Sequence, residues 1–217
     1  MTLTKLNEKG CRVTDLSRPP PQPRLVLASE SERRRDLLAQ IGVVPDLIEP
    51  AYVDETVRKG ESPRSHAKRL ADEKTATVAA RHNDAIVLGA DTLVSCGQRI
   101  LPKAETPDQA KLCLNLLSGR RHRVVSAVNL TSPGGMMRTR VVETAVRFKR
   151  LSSREIKAYL ESGEWLGKTG GYAIQGRAAI FVAWLGGSYS NVVGLPLFET
   201  HSLLLSAGVT GLRPSCD

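Results

Sequence analysis

Four places in the sequence combine residue types that can handle charge at a ligand. The first is Ser29-Glu30-Ser31-Glu32-Arg33-Arg34, which directly follows the apolar run Leu25-Val26-Leu27-Ala28. A strand turning into a helix there would present hydroxyls, guanidinium groups and free backbone N–H groups at a positive helix end, the outline of a phosphate site. Guanidinium groups suit that work because they fork onto two phosphate oxygens and stay charged at any working pH. Glu30 and Glu32 would oppose an anion, and a helix that is merely capped accounts for the same residues. The second place is Asp91, at the end of the apolar run over residues 85–90. Open α/β sheets hold their ligand groups at such strand ends, where a carboxylate can bind a divalent ion or accept a proton from an attacking water. An aspartate capping a turn is the plain alternative.

Lys74 and Lys103 form the third place. Both could reach phosphates, although a lysine on the apolar side of a helix, as Lys74 is, also snorkels out to water. The fourth is Gly167-Lys168-Thr169-Gly170-Gly171-Tyr172-Ala173-Ile174-Gln175-Gly176, glycine-dense in the way a backbone is when it approaches a ligand closely. Gln175 offers an amide that can pair with a base edge, and a tight turn with no ligand explains the glycines equally. The stretch matches neither the Walker loop nor the dinucleotide fingerprint. His66, His82, His122 and His201 show no metal-ligand spacing.

The elements that would position these residues alternate between strand and helix from Arg24 onward, which predicts an α/β fold around one mixed sheet. Residues 25–28 read as a buried strand, and Ser29 with Glu32 has the S-x-x-E form of a capping box, opening a helix that Gly42 ends. A second helix is predicted from Ser62-Pro63 to about residue 81, with Ala67, Leu70, Ala71, Lys74 and Val78 on one side. Residues 85–90 form a central strand, and Thr106-Pro107-Asp108-Gln109 opens a helix that Gly119 closes. Residues 122–130 and 139–148 flank Ser132-Pro133-Gly134-Gly135 as a predicted hairpin. Helices are then expected over 152–162, from a second capping box at Ser152 and Glu155, and over 197–205, with a strand at 178–184 between them.

At 217 residues, 41% of them hydrophobic, the chain can bury one sizeable core. One domain is expected over residues 24–210, between a proline-rich, poorly ordered tail at 1–23 and a short tail at 211–217. Residues 1–23 hold no apolar stretch of the kind a secretory or membrane segment needs. Cys11, Cys96, Cys113 and Cys216 stand far apart with no C-x-x-C pair, which suits reduced thiols and predicts a cytoplasmic protein. The net charge of +9 would draw polyanions such as nucleotides, nucleic acid or acidic membrane. Aromatic residues are only 4%, leaving few stacking platforms for single-stranded nucleic acid, and helix-turn-helix, zinc and RNP signatures are missing.

Taken in order, these pieces resemble the Maf family. Leu27-Ala28-Ser29-Glu30-Ser31-Glu32-Arg33-Arg34 is similar to its L-A-S-x-S-x-R-R start and Gly89-Ala90-Asp91-Thr92 to its G-A-D-T. Lys103, Leu117-Ser118-Gly119 with His122 and Val124, Gly171-Tyr172-Ala173-Ile174-Gln175-Gly176, and the run Gly187-Ser188-Tyr189-Ser190-Asn191-Val192-Val193-Gly194-Leu195-Pro196-Leu197 complete the likeness, which spans residues 24 to about 207. The resemblance implies a two-lobed α/β fold of the Maf/ITPase-like kind, a mixed sheet flanked by helices with a central cleft. It also implies a homodimer that hydrolyses nucleoside triphosphates to the monophosphate and pyrophosphate with Mg²⁺ or Mn²⁺.

On that resemblance Asp91 is the proton acceptor, and Ser29, Arg34, Lys74 and Lys103 hold the triphosphate. Asp54 or Glu55 joins Asp91 in positioning metal or water. Arg33, Thr92 and Gln175 match the branch that acts on dTTP and UTP, whereas the branch that takes 7-methyl-GTP resembles G-S-D-Q at the second block. Glu30 and Glu32 replace the family's usual Gly and Pro, Ala104 replaces a Pro, and Gly167 replaces an acidic residue. A basic nucleic-acid-binding protein and a cell-division regulator of septum formation are the other classes the sequence leaves open; the expectation is a nucleotide partner, with no nucleic acid and no membrane.

Overall fold

The computed structural model describes residues 23–210. Of the two predicted tails, all but Pro23 lies outside the described residues. The chain runs β1 (Leu25–Leu27), α1 (Glu32–Gln40), β2 (Leu47–Ile48), α2 (Pro63–Ala79), β3 (Ile86–Cys96), β4 (Arg99–Leu101), β5 (Lys103–Ala104), α3 (Pro107–Leu117), β6 (Arg121–Thr131) and β7 (Met137–Phe148). It continues through α4 (Ser153–Glu161), β8 (Lys168–Thr169), a 3₁₀ turn (Arg177–Phe181), β9 (Val182–Gly186), α5 (Tyr189–Val193) and α6 (Leu197–Ser206). Among the described residues, no helix is long and apolar enough to cross a membrane.

A seven-stranded mixed sheet has the order β2-β1-β3-β6-β7-β9, with β4 also paired to β3. Strand β1 is parallel to β2 and β3, and the other pairs are antiparallel. A separate two-stranded sheet joins β5 to β8. Helix α2 covers one face, setting Ala67 and Ala71 against Leu93, Val125 and Ala127, and Val78 against Val26 and Val87. The other face carries the main core, where Leu38, Leu114, Leu117, Tyr159 and Leu204 pack onto Leu27, Leu88, Leu130 and Phe148. Each such fully buried leucine contributes roughly 2 kcal/mol relative to exposure.

Several helix signals form as the sequence predicts. Ser62 accepts from the Ser65 N–H ahead of Pro63, and the boxes Thr106/Gln109 and Ser152/Glu155 close reciprocally. The box predicted at Ser29 does not form. Helix α1 starts later, after Ser31, and the Ser29 hydroxyl instead accepts from Arg34 Nη1 at 2.8 Å. The strand predicted at 178–184 is also displaced: residues 177–181 wind as the 3₁₀ turn, and pairing with β7 begins only at Val182 opposite Phe148.

A third difference matters most. Asp91 does not sit at a strand end but in the middle of β3, an 11-residue strand. One edge of β3 is taken by β6 from Val87 to Ser95. On the other edge β1 pairs only with Ile86 to Leu88, and β4 only with Val94 to Cys96. Residues 89–93 therefore face a notch where neighbouring strands run out, and that notch takes the place of the expected strand terminus.

Helix α2 passes very close to β3 at the notch. A Cβ built on Gly89 would lie 2.1 Å from Thr75 Oγ1 and 3.3 Å from Thr75 Cα, so only glycine fits there. Gly89→Ala is expected to push α2 outward and lose about 2 kcal/mol or more in urea unfolding, with Thr75→Ala restoring part; an unchanged midpoint would show that the helix is not held this close. Deeper in the core, His122 is 1% exposed with Nε2 2.8 Å from the Tyr172 hydroxyl. Burial holds its pKa at about 4, below the ordinary value of about 6.5. The unfolded chain then binds the extra proton between about pH 6.5 and 4, so stability falls across that window on acidification, by at most ~1.4 kcal/mol per pH unit from this group. His122→Gln should flatten the curve in that window, measured by urea unfolding at stepped pH, and an unaltered slope would exclude the imidazole as its source.

Candidate functional site

A cavity of ≈ 640 Å³ opens at the notch, between the main sheet and the small β5–β8 sheet. That size suits a nucleotide-sized ligand. Successive residues of a strand point to opposite faces, yet Asp91 and Thr92 both line this one cavity because no strand closes the edge between β1 and β4. Asp91 points toward α2, where it meets Lys74, and Thr92 toward the side of α1 and α5.

On the α2 side, Lys74 Nζ donates to Asp91 Oδ1 at 2.7 Å and to Glu55 Oε1 at 2.6 Å. Asp91 is 8% exposed. Lys74 precedes Thr75, the residue wedged against Gly89, so the close helix approach is what brings the ammonium to the carboxylate. Burial would push the Glu55 carboxyl up, but the hydrogen bond from Lys74 and the charges of Lys74, Lys103 and Arg34 outweigh it and leave it below its ordinary value.

On the other side, Arg34 is held by three acceptors: the Gly194 carbonyl at 3.0 Å from Nε, the Ser29 hydroxyl at 2.8 Å from Nη1, and Thr92 Oγ1 at 3.5 Å from Nη2. Thr92 Oγ1 also bonds Ser126 Oγ at 2.8 Å, and Ser126 donates to the Asn191 carbonyl at 3.1 Å. Asn191 in turn donates to the Val124 carbonyl and to Thr144 Oγ1. A chain of buried polar groups thus locks the guanidinium to the sheet and to α5. Burial lowers the Arg34 pKa and Arg33 adds to that, while Asp91 and Glu55 oppose it; burial lowers Arg33 likewise.

Among the described residues, five cations (Arg33, Arg34, Lys74, Lys103, Lys168) and four carboxylates (Glu30, Glu32, Glu55, Asp91) line the cavity. Glu32 is at its exposed rim, paired with Arg35 at 3.6 Å. Lys168 was visible in the sequence only as part of the glycine-dense stretch. Burial and the neighbouring Arg33 lower its pKa, with Glu32 opposing. A lysine inside a glycine run beside a strand-forming threonine is the signal that marks it.

Of the residues singled out from sequence, Ser29, Arg33, Arg34, Glu55, Lys74, Asp91, Thr92 and Lys103 line this cavity. Two do not. Asp54 is exposed and its Oδ1 accepts from the Thr56 N–H at 2.9 Å. Gln175 is exposed in a turn outside the cavity. The glycine pair of the same stretch serves packing within the protein. Gly170 and Gly171 both have positive φ, and added Cβ atoms would lie 3.0 Å from Val94 and 3.1 Å from Ala110. They approach the protein's own β3 and α3, and this lays Lys168 and Thr169 along the cavity wall.

A cavity at a notch in a mixed α/β sheet, where five cations face Asp91 and three other carboxylates, defines a protein whose site can take a polyanion beside a carboxylate. The family model described as "Maf-like protein" matches residues 24–207, and the chain belongs to that family. It is 60% identical to a Rhodospirillum rubrum protein named dTTP/UTP pyrophosphatase, over 89% of this chain and 90% of that one. A Paramagnetospirillum magneticum protein of the same name is 61% identical over 83% of this chain and 95% of its own length. One from Caulobacter vibrioides, also so named, is 56% identical over 86% and 96%. Among solved structures, a HAM1 protein from Coxiella burnetii aligns with a TM-score of 0.45 and 15% identity, over 86% of this chain and 100% of that one.

Removing the shared ammonium probes the charge arrangement. Lys74→Met leaves the buried Asp91 carboxylate unpaired and should cost about 3–5 kcal/mol near neutral pH. Glu55, held below its ordinary value, contributes stability above the ordinary carboxylate range that is lost as the pH falls through its lowered value. The variant lacks that contribution, so the gap to wild type should hold from about pH 7 down to about 4.3, the ordinary glutamate value, and narrow only as the pH falls further toward about 3. Urea unfolding at the two ends measures it; a constant gap would mean that packing of the lysine stem, not its charge, matters.

Proposed function

We propose that this protein is a dTTP/UTP pyrophosphatase, hydrolysing a pyrimidine nucleoside triphosphate between its α- and β-phosphates. The observation that carries the reading is the single cavity in which Asp91 and Lys74 meet Arg33, Arg34, Lys103 and Lys168. Relatives bearing that activity as their name, at 56–61% identity over most of the chain, support it.

Ser29, Arg34, Lys74 and Lys103 hold the triphosphate, and Lys168 joins them from β8, beside Lys103 on the small sheet. Positive groups gathered around the cavity stabilise the charge that builds on the phosphate oxygens in the transition state. Asp91 Oδ1 is committed to Lys74, while Oδ2 accepts no hydrogen bond among the described residues and takes the proton of the attacking water. The water oxygen bonds to the α-phosphorus, the bond from that phosphorus to the bridging oxygen breaks, and monophosphate and pyrophosphate leave.

The donor set fits a divalent cation. Glu55 and Asp91 converge on one point that an ammonium already occupies, at 2.6 and 2.7 Å. Among the described residues, no cluster of three or more His, Cys, Asp and Glu is arranged to hold a metal. Glu55 and Asp91 would therefore be the residues that hold Mg²⁺ or Mn²⁺, a small carboxylate set of the kind Mg²⁺ uses. When bound, the ion neutralises charge on the phosphate oxygens. Arg33, Thr92 and Gln175 are assigned the choice of base; for Gln175 this requires its turn to move toward the cavity. A homodimer and a cytoplasmic location belong to the same proposal, the second in keeping with the free thiols Cys96 and Cys113.

Pyrophosphate release from dTTP, UTP, CTP, GTP, ATP and 7-methyl-GTP, measured with Mg²⁺ or Mn²⁺, decides the matter. Preference for dTTP and UTP is expected, and Asp91→Asn should lower turnover by roughly 10²-fold or more. Turnover of 7-methyl-GTP would keep the reaction and overturn the base assignment. No turnover of any triphosphate, with salt-dependent binding to DNA or RNA instead, would replace the enzyme by a nucleic-acid-binding protein.

A further inference from the structure

The segment that carries Glu55 has no regular structure of its own. Residues 51–58 form neither helix nor strand, yet Tyr52, Val53 and Glu55 line the cavity. Backbone carbonyls in such a segment need donors from elsewhere, and Arg69 on α2 supplies them. Its Nη1 donates to the Asp54 carbonyl at 3.3 Å and its Nη2 to the Thr56 carbonyl at 2.9 Å, one on each side of Glu55.

The same guanidinium is itself gripped. Glu61 accepts from Nε at 2.7 Å and from Nη2 at 3.0 Å, and Glu73 accepts from Nη1 at 3.2 Å. His66 Nδ1 lies 2.8 Å from the Glu61 carboxylate, and the Arg58 N–H donates to it at 3.0 Å. Only 12% of the Arg69 side chain and 9% of that of Glu61 are exposed. All five guanidinium N–H donors thus meet acceptors, a geometry that one lysine nitrogen cannot reproduce.

Lys74 follows Arg69 on the same helix by little more than one turn. Glu55 is consequently held from two sides: its flanking carbonyls by Arg69, its carboxylate by Lys74. We propose that Arg69, clamped by Glu61, is a positioning residue that fixes Glu55 opposite Asp91 for the hydrolysis described above, on which reading the proposal rests. The Glu55 side chain is 46% exposed, so packing alone does not hold it. Released from the clamp, the loop would let that carboxylate swing into solvent and leave Asp91 as the one carboxylate at Lys74.

Two readouts on the full chain test this. In hydrogen exchange, Arg69→Lys should speed the amides of residues 53–57 by about tenfold or more while those of residues 87–93 stay as in wild type. Glu61→Gln, which keeps the shape but removes the charge that grips Arg69, should act in the same direction. Loop amides that keep wild-type exchange in both variants would overturn the clamp. The second readout is a double-mutant cycle on dTTP turnover. Arg69→Lys should lower kcat by about tenfold with less change in KM, and should add little when Glu55 is already Gln. Losses that multiply independently would assign Arg69 a general structural role and overturn its action through Glu55. Absence of turnover in the wild type would overturn the hydrolytic reading, with the exchange experiment still deciding whether Arg69 holds the loop.

Discussion

The whole site depends on how closely α2 can lie against β3. Gly89 places no side chain against Thr75, and Ala67 and Ala71 continue the same shallow line along the helix. Without that approach Lys74 would not reach Asp91, and the one ammonium could not serve two carboxylates. Interiors are packed at the density of organic crystals, so a methyl group at this contact is felt as a displacement of the helix, not absorbed by slack. The catalytic geometry proposed here is therefore a consequence of core packing two residues away from it.

Charge within the cavity follows from the same architecture. The net charge of +9 says only that the protein attracts anions. Where the field concentrates is decided by the notch beside β3, which lets residues from α1, α2, β5 and β8 face a single space. Arg33, Arg34 and Lys168 are held there with pKa values lowered by burial, a state that a bound polyphosphate would relieve. Arg34 is fixed by Ser29, Thr92 and Gly194, so its orientation is set before any ligand arrives.

Helices with explicit caps were readable from local chemistry: Ser62-Pro63, Thr106 with Gln109, and Ser152 with Glu155 each act on neighbours within one turn. The apolar runs that became β1 and the first half of β3 were readable for the same reason. Ser29 was misleading, because its hydroxyl accepts from the Ser31 N–H at 3.3 Å and from Arg34 Nη1 at 2.8 Å, ahead of the helix, and not from the Glu32 N–H that a capping box would use. The glycines at 170 and 171 were read either as room for a ligand or as a tight turn without one, and they make room for Val94 and Ala110. Asp54 and Glu55 could not be told apart along the chain; Arg69 grips the carbonyls of 54 and 56, and it is Glu55 that meets Lys74.

By itself the sequence determined the α/β class, the order of the longer helices and strands and the set of charged residues available for phosphate chemistry, since periodicity, capping and side-chain type are properties of short stretches. The tertiary structure decided that Asp91 sits in the middle of a strand. That outcome rests on where β1 stops and β4 begins along β3, a matter of pairing between separate segments of the chain. It also decided which of the charges meet, because convergence at a notch requires four elements to be placed at once, and no local pattern records such a placement.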